Sequence, residues 1–164
     1  MHEIRQIGPE DWATFRDIRL AALTDSPDAF AVTVTDALGR SDSDWEHMVR
    51  QRCASDVSAT WIAHRGGLSV GVVAAFADPL SEEVELVSMW VAPAARGVGL
   101  ARRLVDAVIA WADERSAPCV SLWATRGNDP AQRLYATAGF VVTSDHQPLA
   151  SDPCKEEVRM VRTI

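Results

Sequence analysis

Apolar side chains recur at helical spacing in four stretches of the chain. The strongest repeat predicts a long amphipathic helix from Val98 to Ser116. A second apolar stripe begins after Pro9 and Asp11 and predicts the first helix. Shorter helices are predicted at Ser43–Arg52 and Pro130–Ala138. The apolar positions of the long helix are Leu100, Leu104, Val105, Val108, Ile109 and Ala112.

Runs rich in β-branched and aromatic residues, bounded by glycine, proline or polar turns, predict the strands. A glycine turn at Arg65–Gly67 predicts that two of these strands form a hairpin. The polar segment Ser144–Cys154 is expected to be a loose loop between the last two strands. The predicted strands are His2–Ile7, Thr60–His64, Leu68–Ala77, Val84–Val91, Val120–Ala124, Phe140–Thr143 and Glu157–Val161.

The strand that ends at Val91 is followed by a glycine-containing loop at the start of the long helix. Gly97, Gly99 and Ala101 carry little or no side chain, so backbone amides there can approach an oxyanion, helped by the helix dipole. A tight turn would look the same in sequence. A Rossmann fingerprint fits poorly because Arg102 replaces its third glycine, and no Gly-Lys-Ser/Thr follows for a P-loop.

A second motif, from Asn128 to Phe140, predicts a capped helix with Pro130 in its first turn and Gly139 at its end. Together the two motifs resemble the GCN5-related N-acetyltransferase (GNAT) family. Its Arg/Gln-x-x-Gly-x-Gly/Ala loop falls on Arg96, Gly99 and Ala101. Its Asn-x-x-Ala-x-x-x-Tyr-x-x-x-Gly-Phe stretch falls on Asn128, Ala131, Tyr135, Gly139 and Phe140.

The resemblance covers about Ala59 to Val142 firmly and the N-terminal part in outline. It implies an α/β protein (α+β in some schemes) with the acyl-CoA N-acyltransferase fold. This fold has three α/β/α layers and a mixed, mainly antiparallel central sheet. The 164 residues are about one domain long, so a single domain over 1–164 is expected.

The resemblance also implies how acetyl-CoA is bound. The pyrophosphate would lie on backbone amides of the loop and first helical turn, with Arg96 adding charge. The pantetheine arm would pair with the main chain of Met89 and Val91. Asn128 and Ala131 are expected to contact the cofactor, although Asn128 also suits a plain helix cap. The loop residues assigned to cofactor binding are Gly97, Val98, Gly99, Leu100 and Ala101.

Tyr135, the only tyrosine, is the candidate general acid, because a phenol with a pKa of about 10 is protonated at neutral pH. Glu85 is the candidate general base, acting through water, since a carboxylate on an apolar strand is costly to bury without a purpose. Packing over the sheet is the alternative role for Tyr135. Solvent exposure is the alternative for Glu85.

The acceptor site is less defined in the sequence. The turn after the first helix offers Asp25, Asp28, Phe30 and Asp36, although capping or a solvated loop is the simpler role. Trp61, Trp90 and Trp123 either line an acceptor pocket or belong to the core. Arg102 and Arg103, in the first turn of the long helix, are either solvated or answer an anionic ligand.

Composition narrows the class of protein. The net charge of −7, with Lys155 as the only lysine, argues against a nucleic-acid partner. The three cysteines are far apart and no zinc spacing is present, so neither a disulfide framework nor a metal site is indicated, and a reducing cytoplasm is the default. No run approaches the roughly 18 to 20 apolar residues of a membrane span.

These features predict an N-acetyltransferase that moves an acetyl group from acetyl-CoA to a primary amine by direct transfer through a tetrahedral intermediate. The acceptor would be a small-molecule or peptide amine. The alternatives are a non-catalytic acyl-CoA-binding or sensor domain and an interaction module of the same fold. An exposed sheet edge or an apolar helix face also leaves a homodimer open.

Overall fold

The central sheet has seven strands and one parallel pairing, between the fourth and fifth strands. The computed structural model describes all residues from Met1 to Ile164. The strand order is β1-β2-β3-β4-β5-β7-β6, and every neighbouring pair except β4 and β5 is antiparallel. The strands are β1 (Glu3–Gln6), β2 (Ser58–Arg65), β3 (Leu68–Ala77), β4 (Val84–Val91), β5 (Cys119–Thr125), β6 (Val141–Leu149) and β7 (Asp152–Thr163).

Five α-helices cover the two faces of this sheet. The first three pack with Ile62, Val72 and Trp90 in one core, and the last two pack on the other face in a larger core. The expected three-layer architecture with a mixed, mainly antiparallel sheet is therefore confirmed. The helices are α1 (Trp12–Asp25), α2 (Val34–Leu38), α3 (Asp42–Ala54), α4 (Leu100–Glu114) and α5 (Asp129–Thr137).

Helix α4 is the main structural support of the larger core. Its apolar stripe is fully buried at Leu104, Val105 and Val108, which have no exposed surface. Gly99 precedes the helix with φ of 78°, a left-handed conformation that glycine adopts without strain. The helix therefore begins at Leu100, two residues later than the sequence predicts.

Strands β4 and β5 diverge after a short pairing. They pair at Val84 with Val120 and at Glu85 with Ser121, and each strand then continues without the other to Val91 and Thr125. A bulge at Ser88, whose φ is 58°, shifts the register between β3 and β4 and bends β4. The result is a cleft in the middle of the sheet with unpaired strand edges along it.

The prediction of a loose loop at Ser144–Cys154 is wrong. Strands β6 and β7 form a long hairpin through this segment, and only Ala150 and Ser151 lie outside the two strands. Most of β6 is exposed, so its polar side chains need no apolar alternation. Pro148 is tolerated because β6 is an edge strand with one side unpaired.

The sequence also gives no indication of helix α2. It has only five residues, and Thr33 caps it by accepting a hydrogen bond from the backbone of Asp36. So short an element shows no helical periodicity. The helix predicted as the second is therefore the third, α3. None of the helices has the length and apolar composition to cross a bilayer.

Candidate active site

The divergence of β4 and β5 opens a cleft with a volume of about 380 Å³. Strand β4 lines one side from Leu86 to Val91, and β5 lines the other from Trp123 to Thr125. Helix α5 and the loop before α4 close its ends. Of the predicted cofactor-binding and catalytic residues, it brings together Met89, Val91, Arg96, Ala101, Asn128, Ala131 and Tyr135.

The main chain of β4 faces this cleft at alternate residues. The amide of Ala92 bonds to the carbonyl of Val70 on the β3 side at 2.8 Å. Because strand amides alternate in direction, those of Val91 and Met89 point to the opposite side, toward β5. The carbonyl of Val91 accepts a 2.8 Å hydrogen bond from Nε of Arg96. The two residues predicted for pantetheine pairing thus present backbone groups to the cleft.

The loop before α4 presents a run of free amides. No backbone or side-chain group accepts a hydrogen bond from the amides of Gly97 through Arg102, and no side chain caps the helix. Gly97 and Gly99 both have φ of 78°, and a Cβ atom at either would meet nothing within 4 Å. The loop is therefore shaped as an open anion cradle at a helix N-terminus. Within it Val98 is exposed, whereas Leu100 is buried in the core.

Asp25 connects the first helix to this loop. Its Oδ2 accepts hydrogen bonds from Nε1 of Trp90 at 2.9 Å and from Nη2 of Arg96 at 2.6 Å. Bonds from Trp90, Ser26 and Arg96 lower the pKa of Asp25. Oδ2 therefore accepts three hydrogen bonds, from Ser26, Trp90 and Arg96, and it fixes Arg96 at the mouth of the cleft. These bonds give the carboxylate a structural role in the protein.

Helix α5 places two predicted residues on the cleft wall. Asn128 accepts the amide of Ala131 at 3.4 Å, so it is the helix cap and lines the cleft as well. Tyr135 lies further along the same helix, 7% exposed and edge-on to Phe140 with ring centroids 5.9 Å apart. Burial raises the pKa of Tyr135 well above its ordinary value. The phenol therefore stays protonated throughout the neutral range.

Glu85 lies on the other face of β4, at the point where the strands separate. Its neighbours Val84 and Leu86 point into the α4 core, so its side chain points away from α4 and does not line the cleft. The pKa of Glu85 is raised by its partial burial and by the nearby carboxylates of Glu83 and Glu157. Contact with the cleft would require a water molecule, as the sequence interpretation assumed.

The structure separates other residues from the cleft. Trp61 packs edge-on against Trp111 in the α4 core, so it lines no acceptor pocket, whereas Trp90 and Trp123 do reach the cleft. Arg102 bonds to Asp106 and to the carbonyl of Thr137, and Arg103 bonds to the carbonyl of His2. Both arginines fasten α4 to neighbouring segments and are neither merely solvated nor reserved for an anion.

The remaining acceptor candidates have structural partners. Asp28 forms an ion pair with Lys155, and its carbonyl accepts the hydroxyl of Thr125 at 2.6 Å. Asp36 accepts a hydrogen bond from the hydroxyl of Thr33 at 2.7 Å, and Phe30 is buried in the core that the first three helices share. Asp28 thus holds the segment after α1 against β5 and β7, whereas Asp36 bonds within the cap of α2. Both carboxylates therefore already have partners.

Ser88 is a cleft residue that the sequence did not indicate. It sits at the bulge with a positive φ, a conformation that serine rarely adopts, and it lines the cleft. Glycine would have marked the position, but serine carries no such signal. Positive φ in a non-glycine residue beside a candidate site indicates a constrained functional geometry.

Comparison with known proteins identifies the family of this chain. The model of the Acetyltransferase (GNAT) family matches residues 17–140. A mycothiol acetyltransferase from Thermomonospora curvata is 30% identical over 121 residues, which are 73% of this chain and 37% of that relative. The match therefore spans little more than a third of the relative's length.

Two solved structures share the whole fold. An acetyltransferase of the GNAT family from Streptococcus pneumoniae superposes with a TM-score of 0.83 at 20% identity, covering 100% of this chain and 99% of that one. An acetyltransferase from Salmonella typhimurium, solved with its cofactor acetyl-CoA, gives a TM-score of 0.79 at 18% identity, covering 99% and 94%. The split sheet, the glycine loop and the family match together show that this chain belongs to the GNAT acetyltransferase family.

Proposed function

We propose that the protein is an acetyl-CoA-dependent N-acetyltransferase that transfers the acetyl group directly to a primary amine. This proposal rests on one observation: an anion-binding loop and a proton donor lie in the same cleft. The unpaired amides of Gly97–Arg102 lie at one end, and the buried phenol of Tyr135 lies on its wall. An anion cradle and a proton donor beside a split sheet are what thioester aminolysis requires.

Acetyl-CoA would be held mainly by the main chain. The loop amides receive the pyrophosphate, and Arg96, half exposed and fixed by Asp25, adds positive charge nearby. The pantetheine arm lies along β4, where Met89 and Val91 offer backbone groups, and a β4 amide polarises the thioester carbonyl. Asn128 and Ala131 bound the arm from α5.

The reaction proceeds in two stages through a tetrahedral intermediate. The neutral amine nitrogen forms a bond to the thioester carbon, and the carbonyl electrons move onto oxygen. The carbon–sulfur bond then breaks with its electron pair on sulfur, and Tyr135 supplies the proton that sulfur takes up. The surplus proton of the nitrogen leaves through water toward Glu85. No covalent enzyme intermediate is needed.

The acceptor is a small-molecule or peptide amine, and the site of action is the cytoplasm. Pairing through an exposed sheet edge or an apolar helix face would join two copies of the chain as a homodimer. An acyl-CoA sensor is the rival function, since it would use the same cradle without chemistry. The retained phenol in the cleft favours catalysis, because binding alone has no use for a buried proton donor.

Calorimetric titration with acetyl-CoA tests the cofactor site. Gly99→Glu places a carboxylate in the anion cradle and should abolish binding. Gly67→Glu is the matched control, because Gly67 has φ of 80°, an added Cβ meets nothing within 4 Å, and its hairpin turn does not line the cleft. The proposal requires wild type and Gly67→Glu to bind. Equal binding by all three proteins would refute the cradle assignment.

A further inference from the structure

Three arginines surround a second, smaller cavity between the N-terminal helices and the sheet. Arg19 comes from α1, Arg40 follows α2, and Arg52 lies on α3. The cavity has a volume of about 60 Å³, enough for a carboxylate-sized group and too small for a whole substrate. We call it the arginine pocket.

No carboxylate neutralises these three side chains. None of the ion pairs of the protein includes Arg19, Arg40 or Arg52. Each guanidinium instead lies over an aromatic ring: Arg19 over Phe30 at 4.6 Å, Arg40 over Trp45 at 5.2 Å and Arg52 over Phe15 at 5.6 Å. Aromatic stacking holds the guanidinium groups in place and leaves their charge unbalanced.

Arg19 is the most confined member of the cluster. Its Nη1 is buried and has no hydrogen-bond partner. Burial, and after it the charges of Arg52 and Arg40, together lower the pKa of Arg19 to about 10. The charge of Arg40 contributes to the lowered pKa of Asp44, but the Asp44 carboxylate is hydrogen-bonded to Ser41 as part of the α3 cap. Buried cations without partners are costly unless an anion arrives to pair with them.

The arginine pocket meets the cleft between β4 and β5 at the β4 bulge. Ser88 lines both cavities. Arg52 also lies over Phe76 at 5.2 Å, and Phe76 is the cross-strand partner of Glu85, so the two side chains share one face of the sheet. An anion in the arginine pocket would therefore place the rest of a small molecule beside Ser88, on the face that carries Glu85.

We propose that the acceptor is an amine that also carries a carboxylate, such as a short amino acid, and that Arg19, Arg40 and Arg52 bind this carboxylate. The inference rests on the proposed function and narrows its substrate class. It disfavours polycationic acceptors, because a second ammonium group would face three unneutralised guanidinium groups. The amine end of the bound acceptor is then free to reach the thioester through the bulge.

Paired acceptors test the charge preference. Thiol release from acetyl-CoA is measured with glycine, β-alanine and aspartate, and with the corresponding amino amides in which the carboxylates are amidated, at matched concentrations of neutral amine; spermidine is the cationic comparison. Because each hydrogen bond to a charged group contributes about 1.5 to 3 kcal/mol, kcat/KM should be at least about tenfold higher for some carboxylates than for their amides. No preference for any carboxylate over its amide would overturn the proposal.

Three arginine variants separate this role from a structural one. Arg19→Gln and Arg52→Gln should raise KM for the preferred carboxylate about tenfold or more and leave its amide unchanged. Arg40→Gln, at an exposed position, should act in the same direction without endangering the fold. Arg50→Gln is the control, since it removes the same charge from α3 where Arg50 pairs with Glu46. Equal losses for carboxylate and amide would contradict carboxylate binding.

Two binding experiments keep the two proposals apart. Acetyl-CoA should bind each arginine variant with the wild-type Kd, because none of these arginines lines the cleft. Amino-acid titrations followed by NMR without acetyl-CoA should shift wild-type resonances and leave those of Arg19→Gln unchanged. If acetyl-CoA fails to bind, the proposed function fails, while the amino-acid titration still decides the arginine pocket. Identical amino-acid titrations for wild type and Arg19→Gln would overturn the assignment of carboxylate binding to the arginine pocket.

Discussion

The indole Nε1 of Trp90 donates a 2.9 Å hydrogen bond to Oδ2 of Asp25, and this bond ties the end of α1 to the cleft strand β4. The same oxygen accepts Nη2 of Arg96, whose Nε bonds to the carbonyl of Val91. One carboxylate thus links α1 and β4 to the loop that presents the anion cradle. The position of Arg96 depends on a residue 71 positions away in sequence.

Removing that carboxylate should weaken both stability and cofactor binding. Asp25→Ala breaks the Trp90 and Arg96 bonds, so we expect the free energy of unfolding to fall by about 1 to 2 kcal/mol. The Kd for acetyl-CoA should rise because Arg96 is no longer held. Denaturant unfolding and calorimetry measure these effects. Asp17→Ala, which removes an exposed ion pair with Arg16, should change neither; equal behaviour of the two variants would contradict the assigned link.

Tyr135→Phe should lower kcat by about 100-fold and leave acetyl-CoA binding intact. The hydroxyl accounts for none of the hydrogen bonds within the protein, and burial alone raises the pKa of Tyr135. Thermal unfolding should therefore give nearly the same Tm for both proteins. A wild-type kcat in Tyr135→Phe would show that the proton reaches sulfur by another route.

Glu85→Gln should act on activity and stability in opposite directions. The pKa of Glu85 is raised in the folded protein, mainly by burial. Its ionised form therefore opposes folding, and stability is lost as pH rises from the unfolded value of 4.5 to the folded pKa. At neutral pH the glutamine variant should be more stable by less than about 1 kcal/mol and should have a lower kcat.

The dependence of activity on pH tests whether Glu85 is the general base. If the carboxylate is the base, wild-type activity falls as pH decreases through the raised pKa, and this acidic limb disappears in Glu85→Gln. Retention of the same limb in the variant would assign it to another group. Glu157 is the next residue to test, because it is buried on the same side and accepts a hydrogen bond from Gln147.

Asp11 should stabilise the fold at neutral pH and lose this contribution at acidic pH. Its hydrogen bonds from Arg5 lower the pKa of Asp11 from 3.8 to about 2. A lowered pKa stabilises the fold above the unfolded value, and the contribution is lost as pH falls through the folded value. Asp11→Asn should cost about 1 kcal/mol at neutral pH, after allowance for solvent screening, and progressively less as pH falls from 3.8 toward 2. A constant difference across this range would contradict the assignment.

The sequence predicted the elements whose ends are marked by glycine or proline. Pro93, Gly97 and Gly99 marked the strand-to-helix loop, and Asn128 with Pro130 marked the start of α5, because these residues restrict the backbone locally. The bulge at Ser88 and the five-residue α2 were not predicted, since neither leaves a periodic or glycine signal. The strands predicted at the positions of β6 and β7 are too short, because exposed polar strands lack apolar alternation.

The sequence predicted those parts of the candidate site that lie within one continuous motif. It did not predict the contacts between residues that are distant in sequence. The cofactor-facing residues lie within two continuous motifs, so their spacing alone was informative. The arginine pocket unites Arg19, Arg40 and Arg52 from three separate segments, and the sequence does not show that they meet. The Asp25 network is similar, because its partners Trp90 and Arg96 become neighbours only when α1 packs on β4.

The most direct test of the central claim is a single assay of acetyl transfer. Purified protein is incubated with acetyl-CoA and a panel of small amines and peptides, and both the released thiol and the acetylated amine are quantified by mass spectrometry. Catalysis predicts equal amounts of the two products with at least one amine, at a rate that falls in Tyr135→Phe. Tight binding of acetyl-CoA with no acetylated product from any amine would contradict it and identify a sensor.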